Sequence, residues 1–127
     1  SPYSDYRTPA VLGALSGSWA GETYYGGKST DLSLVGTTGS AVDTLAGTLP
    51  DGCTFTGWAQ PYKYGMSTEH VVLVADAKTC ASSTALVAGA TYRGIAFVWT
   101  DGANGHHAMI GVMTDDRKHG YTWNIVR

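Results

Sequence analysis

With 127 residues and a formal net charge of −2, the chain is long enough for one hydrophobic core and too short for two. Charged residues make up 14% of it, below the roughly 25% of an average soluble domain, and Gly, Thr, Ser and Ala fill the deficit. That balance suits a turn-rich β-protein. The eight Lys and Arg are scattered, so the clustered positive charge that phosphate binding needs is missing and no nucleic-acid partner is expected.

In chain order, residues 1–16 carry no sustained period and are expected to form a flexible lead-in or spacer, with a single helical turn possible around Ala10–Leu15. The β-domain is expected over residues 17–127. Ser18–Tyr25 alternates, with Trp19, Gly21, Thr23 and Tyr25 on one face, and Gly26-Gly27-Lys28 reads as a hairpin turn. Asp31–Val35 turns Leu32 and Leu34 inward, and Gly36–Ser40 turns the chain again. Val42–Leu49 places Leu45, Gly47 and Leu49 on one side and ends at Pro50-Asp51-Gly52, where Pro presets φ and Gly accepts a positive φ.

Cys53–Ala59 follows, with Cys53, Phe55 and Gly57 on one face and Trp58 on the other. Gln60–Ser67 reads as a loop or distorted edge, and His70–Ala75 as a strand covered on both faces. Asp76–Ala90 is the least strand-like stretch, read either as a long connection or as one that includes a short helix near Ser82–Val87. Tyr92–Trp99, His107–Met113 and Tyr121–Val126 complete a set of eight strands, joined by turns at Asp101–Gly105 and Asp115–Gly120. Sequential antiparallel strands with short turns close naturally into an up-and-down β-barrel of about eight strands, which removes exposed edges. A two-sheet β-sandwich is the alternative.

Cys53 and Cys80 are not arranged as CxxC, and no His lies near either in sequence, so neither a thioredoxin-like pair nor a zinc site is expected. A structural disulfide is the favoured reading, with two free thiols as the alternative. Closing a loop of this size stabilises a fold by roughly 3 kcal/mol on the chain-entropy model, and such bonds persist in the periplasm or outside the cell. The start at Ser1-Pro2 fits a removed secretory or lipoprotein leader, and equally a cloned fragment of a longer chain. The longest fully apolar run, Val71–Ala75, is far short of the roughly 20 residues of a membrane-spanning helix.

Little in the sequence points to chemistry. His106 and His107 are adjacent, so on a strand they face opposite ways and do not readily share one ion. No serine sits in a G-x-S-x-G elbow, and Asp115-Asp116 lie beside Arg117 and Lys118. No enzyme, metal or cofactor is expected. The aromatics Trp58, Tyr62 and Tyr64, with the segment containing Gly89, Tyr92 and Arg93, are candidate partner-binding residues, because Trp, Tyr and Arg are the usual anchors of such contacts.

Leu15-Ser16-Gly17-Ser18-Trp19-Ala20-Gly21, Gly52-Cys53-Thr54-Phe55-Thr56-Gly57, the second cysteine, Gly94-Ile95-Ala96-Phe97 and the closing Gly120-Tyr121 strand resemble a group of small proteobacterial cell-envelope lipoproteins over roughly residues 15–127. That resemblance implies export, a disulfide and a calycin-like β-barrel. Gly89 and Tyr92 are also similar in spacing to the Ser-Gly-x-x-Tyr loop of the periplasmic and membrane-bound inhibitors of C-type lysozyme. Here Ala88 stands at the serine position and Thr91 precedes the tyrosine. The expectation is therefore a monomeric, non-enzymatic envelope protein, periplasmic, outer-membrane-tethered or extracellular, meeting a membrane only through a lipid anchor upstream of Ser1. Its role is binding or structural. The alternatives are an inhibitor-like protein that binds a host hydrolase and a carrier of a small apolar ligand in the barrel.

Overall fold

A computed structural model describes residues 13–25, 28–61, 68–83, 85–101 and 105–127. Eight strands follow in order: β1 Gly17–Tyr25, β2 Lys28–Thr38, β3 Asp43–Thr48, β4 Thr54–Pro61, β5 Thr68–Ala75, β6 Thr91–Asp101, β7 Gly105–Thr114 and β8 Gly120–Val126. Each pairs antiparallel with the next, and β8 returns to β1 through Trp123 opposite Thr23 and Ile125 opposite Gly21. The result is a closed up-and-down barrel in which no strand keeps an unpaired edge.

Alternation decides which side chains fill the lumen. On β3 the buried and exposed positions alternate strictly, with Asp43 and Leu45 inward. Leu32 and Leu34 on β2, Phe55 on β4, Val71, Leu73 and Ala75 on β5, and Tyr121, Trp123 and Ile125 on β8 join them in one buried cluster. Phe55 and Trp123 reach across the lumen to within 4.8 Å of each other, ring centre to ring centre. Space for Phe55 comes from Gly47 opposite it: a Cβ on Gly47 would lie 1.9 Å from the Phe55 ring.

The two ends are closed differently. At one end the Pro50-Asp51-Gly52 turn has the expected geometry, with Gly52 at φ 91°. Here residues 76–90 fold over the barrel, burying Ala85 and Leu86. This connection is tied down by the Cys53–Cys80 disulfide, by the Thr54 N–H donating to Thr79 Oγ1, and by the Ser83 hydroxyl donating to Asp51. Of the two readings of this stretch, the long connection is the one observed: among the described residues it is turns and bends, its polar atoms bonded to one another and to the barrel rim.

At the opposite end, the turn Gly13–Leu15 lies across the barrel. Leu15 is fully buried, and Trp19 Nε1 donates to the carbonyls of Leu15 and Ser16. The Arg127 guanidinium stacks 5.3 Å over the Trp19 ring. These last residues of the expected lead-in thus act as a strap.

The strands are longer than their alternation implied. β2 runs on through Gly36 to Thr38, and β4 continues through Gln60 to Pro61, where a loop was expected. Asp101 and Gly105, read as a turn, pair as the last rung between β6 and β7.

Two substitutions test this packing. The double variant Cys53→Ala/Cys80→Ala is expected to lose about 3 kcal/mol in urea unfolding; unchanged stability would mean that the 76–90 connection holds without the bond. Gly47→Ala is expected to cost roughly 1–3 kcal/mol, as overpacking against Phe55 does in a filled core.

Candidate functional site: a buried carboxyl pair inside the barrel

Among the described residues, Thr114 is a buried polar side chain at the disulfide end, and two buried carboxyls lie near the strap. There β3 begins with Asp43 and β5 carries Glu69 as its second residue, both with no exposed surface. Both sit on the inward parity of their strands, Asp43 in step with Leu45 and Glu69 in step with Val71 and Leu73. β4 separates them, with Ala59 paired to Asp43 and Pro61 paired to Glu69. Two strand spacings put their backbones roughly 10 Å apart, with both side chains converging on the lumen.

Their surroundings differ. Asp43 accepts the Gly13 backbone N–H on both oxygens, at 2.8 and 3.0 Å, and so fastens the strap. Glu69 has no hydrogen-bond partner on either oxygen. Burial, and then the neighbouring Asp43 charge, push its pKa from 4.5 up to about 8, so the carboxyl is mostly protonated at neutral pH.

A third polar atom shares this interior. Trp123 Nε1 is buried and also has no acceptor. The two groups lie on one hydrogen-bonded row of the inner wall, running from Glu69 to Ala96, from Ala96 to Ile110 and from Ile110 to Trp123. Trp19 offers the contrast, since its N–H is satisfied twice by the strap. Buried polar atoms normally find partners, and one left unsatisfied costs about 1–3 kcal/mol. Three such atoms in one lumen make this the chemically distinctive place in the molecule.

The residues chosen from sequence lie elsewhere. Trp58 is half-buried on the outer wall, edge-on to His70 at 5.4 Å. With Val35, Thr37 and Thr44 it lines a shallow outer depression of about 460 Å³. Tyr62 and Tyr64 lie outside the described residues. Gly89 is exposed at φ 75°. Tyr92 points inward, is 2% exposed, packs edge-on against Tyr121 and accepts the Val87 N–H on its hydroxyl. Arg93 points outward and pairs with Asp115 at 3.3 Å. Tyr92 and Arg93 therefore do not share a surface, and Tyr92 braces the 76–90 connection from within.

His106 and His107 follow each other in β7. His107 stacks on Trp99 on the outer wall at 5.3 Å. Among the described residues, no three His, Cys, Asp or Glu side chains converge as a metal site requires. No family model, curated protein or solved structure matches the chain.

Glu69 gives the site a pH signature. Its folded pKa, about 8, lies above the unfolded value of 4.5, so the folded state binds the extra proton between them. Stability from this group is therefore full at low pH and falls as pH rises through 8. Between pH 5.5 and pH 9 the wild type is expected to lose on the order of 3 kcal/mol that Glu69→Gln does not lose. Parallel pH profiles of the two proteins in urea unfolding would show that Glu69 is ordinarily hydrated.

Proposed function

We propose that the protein is an exported, non-enzymatic binding protein that holds a small ligand inside its barrel. The observation that carries this reading is the unpartnered polar set in the lumen, Glu69 and Trp123 Nε1, set among the buried apolar side chains of the core. A core selected for stability alone would place apolar side chains there. Retaining a carboxyl and an indole N–H without partners is the pattern of a site that a ligand completes.

An eight-stranded barrel has an interior that side chains just fill, or that holds one small ligand. The unpartnered Glu69 and Trp123 Nε1 favour the second case. Export is supported by the Cys53–Cys80 bond, of the kind that persists in oxidising compartments. Tethering through an upstream lipid anchor accords with the envelope-lipoprotein resemblance. A ligand that reaches Glu69 requires one barrel end to open, and the Gly13–Ser16 strap is the described element closing the nearer one.

The experiment is native mass spectrometry of the protein purified from its own source without refolding. A fraction carrying one additional small mass, released on denaturation and lost in both Glu69→Gln and Trp123→Phe, is the expected result. A chain that is always unliganded, with neither variant changing its spectrum or its stability in a small-metabolite extract, would contradict the reading.

A further inference from the structure

We propose that the ligand is a small organic cation, an amine whose ammonium group sits against Glu69 beside Asp43 and whose far end offers an acceptor to Trp123 Nε1. This rests on the interior-binding reading and names its ligand class.

The charge arrangement selects the sign. Two carboxyls, both without exposed surface, are held in one lumen, and Asp43 accepts the Gly13 N–H. Among the described residues, no ion pair or hydrogen bond from another side chain reaches Glu69. An anionic ligand would meet Asp43 and be repelled. A neutral ligand could hydrogen-bond to Glu69 but would leave it protonated beside Asp43, whereas a cation turns the repulsion between the two carboxyls into a shared attraction. An ammonium group supplies both the hydrogen-bond donors and the opposite charge.

A divalent metal would need further protein oxygens or imidazoles, and the described residues bring only these two carboxyls together. The other end of the site also constrains the ligand. Trp123 Nε1 is a donor only, so the molecule must present an acceptor there. The tilted Phe55 and Trp123 rings, 4.8 Å apart, give its body an aromatic wall. Glu69 and Trp123 are three strands apart on the same row, roughly 14 Å along the wall, so ammonium and acceptor belong at opposite ends of one compact molecule.

Binding such a cation requires Glu69 to release its proton. Among the residues whose side chains are described, the other titratable groups of inward parity on the strands are Asp43 on β3, Tyr92 on β6, His106 at the rim of β7 and Tyr121 on β8. Of these, Asp43 is the one whose charge raises the Glu69 pKa. Affinity is therefore expected to rise about tenfold from pH 6 to pH 7 and to level off above pH 8.

The test titrates the full chain by calorimetry at pH 6, 7 and 8 with a panel of small amines that carry an acceptor at the far end, tyramine and 4-methoxyphenethylamine among them. The uncharged tyrosol and the anionic 4-hydroxyphenylacetate serve as shape-matched controls. Amine binding that strengthens with pH, at least tenfold weaker in Glu69→Gln, with both controls inert, is the expected result. Circular dichroism confirms that the variant is folded, and Glu69→Asp, which keeps the charge, is expected to retain part of the pH dependence.

Controls that bind as well as the amines, or amine binding indifferent to Glu69→Gln, would overturn the cation. So would the failure of every amine. The interior-binding reading is judged separately, since a co-purifying mass of neutral or acidic chemistry, lost in Glu69→Gln, would keep that reading while refuting this one.

Discussion

Closing eight strands into a barrel sends every second side chain into a lumen with no route to bulk water, and the rest of this structure follows from that constraint. Leucine, valine and aromatic residues on the inward parity become a core without further instruction. A polar residue on the same parity must find a partner inside, and most of those here do. Asp43 takes the strap's Gly13 N–H, Trp19 donates to two strap carbonyls, and the Tyr92 hydroxyl accepts from the connection at the far end. The polar atoms of the lumen thereby hold both ends of the barrel shut. Glu69 and Trp123 stand out because they take part in neither closure.

The same constraint gives Asp43 two roles. Its charge anchors the strap and also raises the cost of ionising Glu69. A carboxyl kept neutral by burial and by a like-charged neighbour is a familiar arrangement where a protein reserves a group for a partner yet to arrive. The disulfide acts at the other end and on a different element. It fixes the long 76–90 connection, while among the described residues the strap end is closed by the buried Leu15, hydrogen bonds and a cation–π contact. The covalent tie therefore lies at the end away from Glu69.

Much of the fold was legible in the sequence because alternation is a local signal. The eight strands, the inward face of Leu45, Gly47 and Leu49, the Gly52 turn and the cysteine pair across the long connection all follow from residues close together in the chain. The buried carboxyls were legible in principle. Stepping back by two from Leu45 reaches Asp43, and from Val71 it reaches Glu69. The strand containing Glu69 was instead begun at His70, since strand ends carry little periodicity and an acidic residue reads as exposed. The meeting of Phe55 with Trp123, and the row joining Trp123 to Glu69, depend on register around the whole barrel, which no local pattern encodes. Tyr92 misled for a related reason. Its spacing matched a recognition loop, while its parity put it in the core.

The measurement that bears most directly on this picture is the titration of the Glu69 carboxyl itself, followed by carbon-13 NMR in the ligand-free protein and assigned by its loss in Glu69→Gln. A midpoint about 8 is expected of a carboxyl buried without partners beside Asp43. A midpoint near 4.5 would show a hydrated or already paired group, and with it the lumen would lose its case as a binding site.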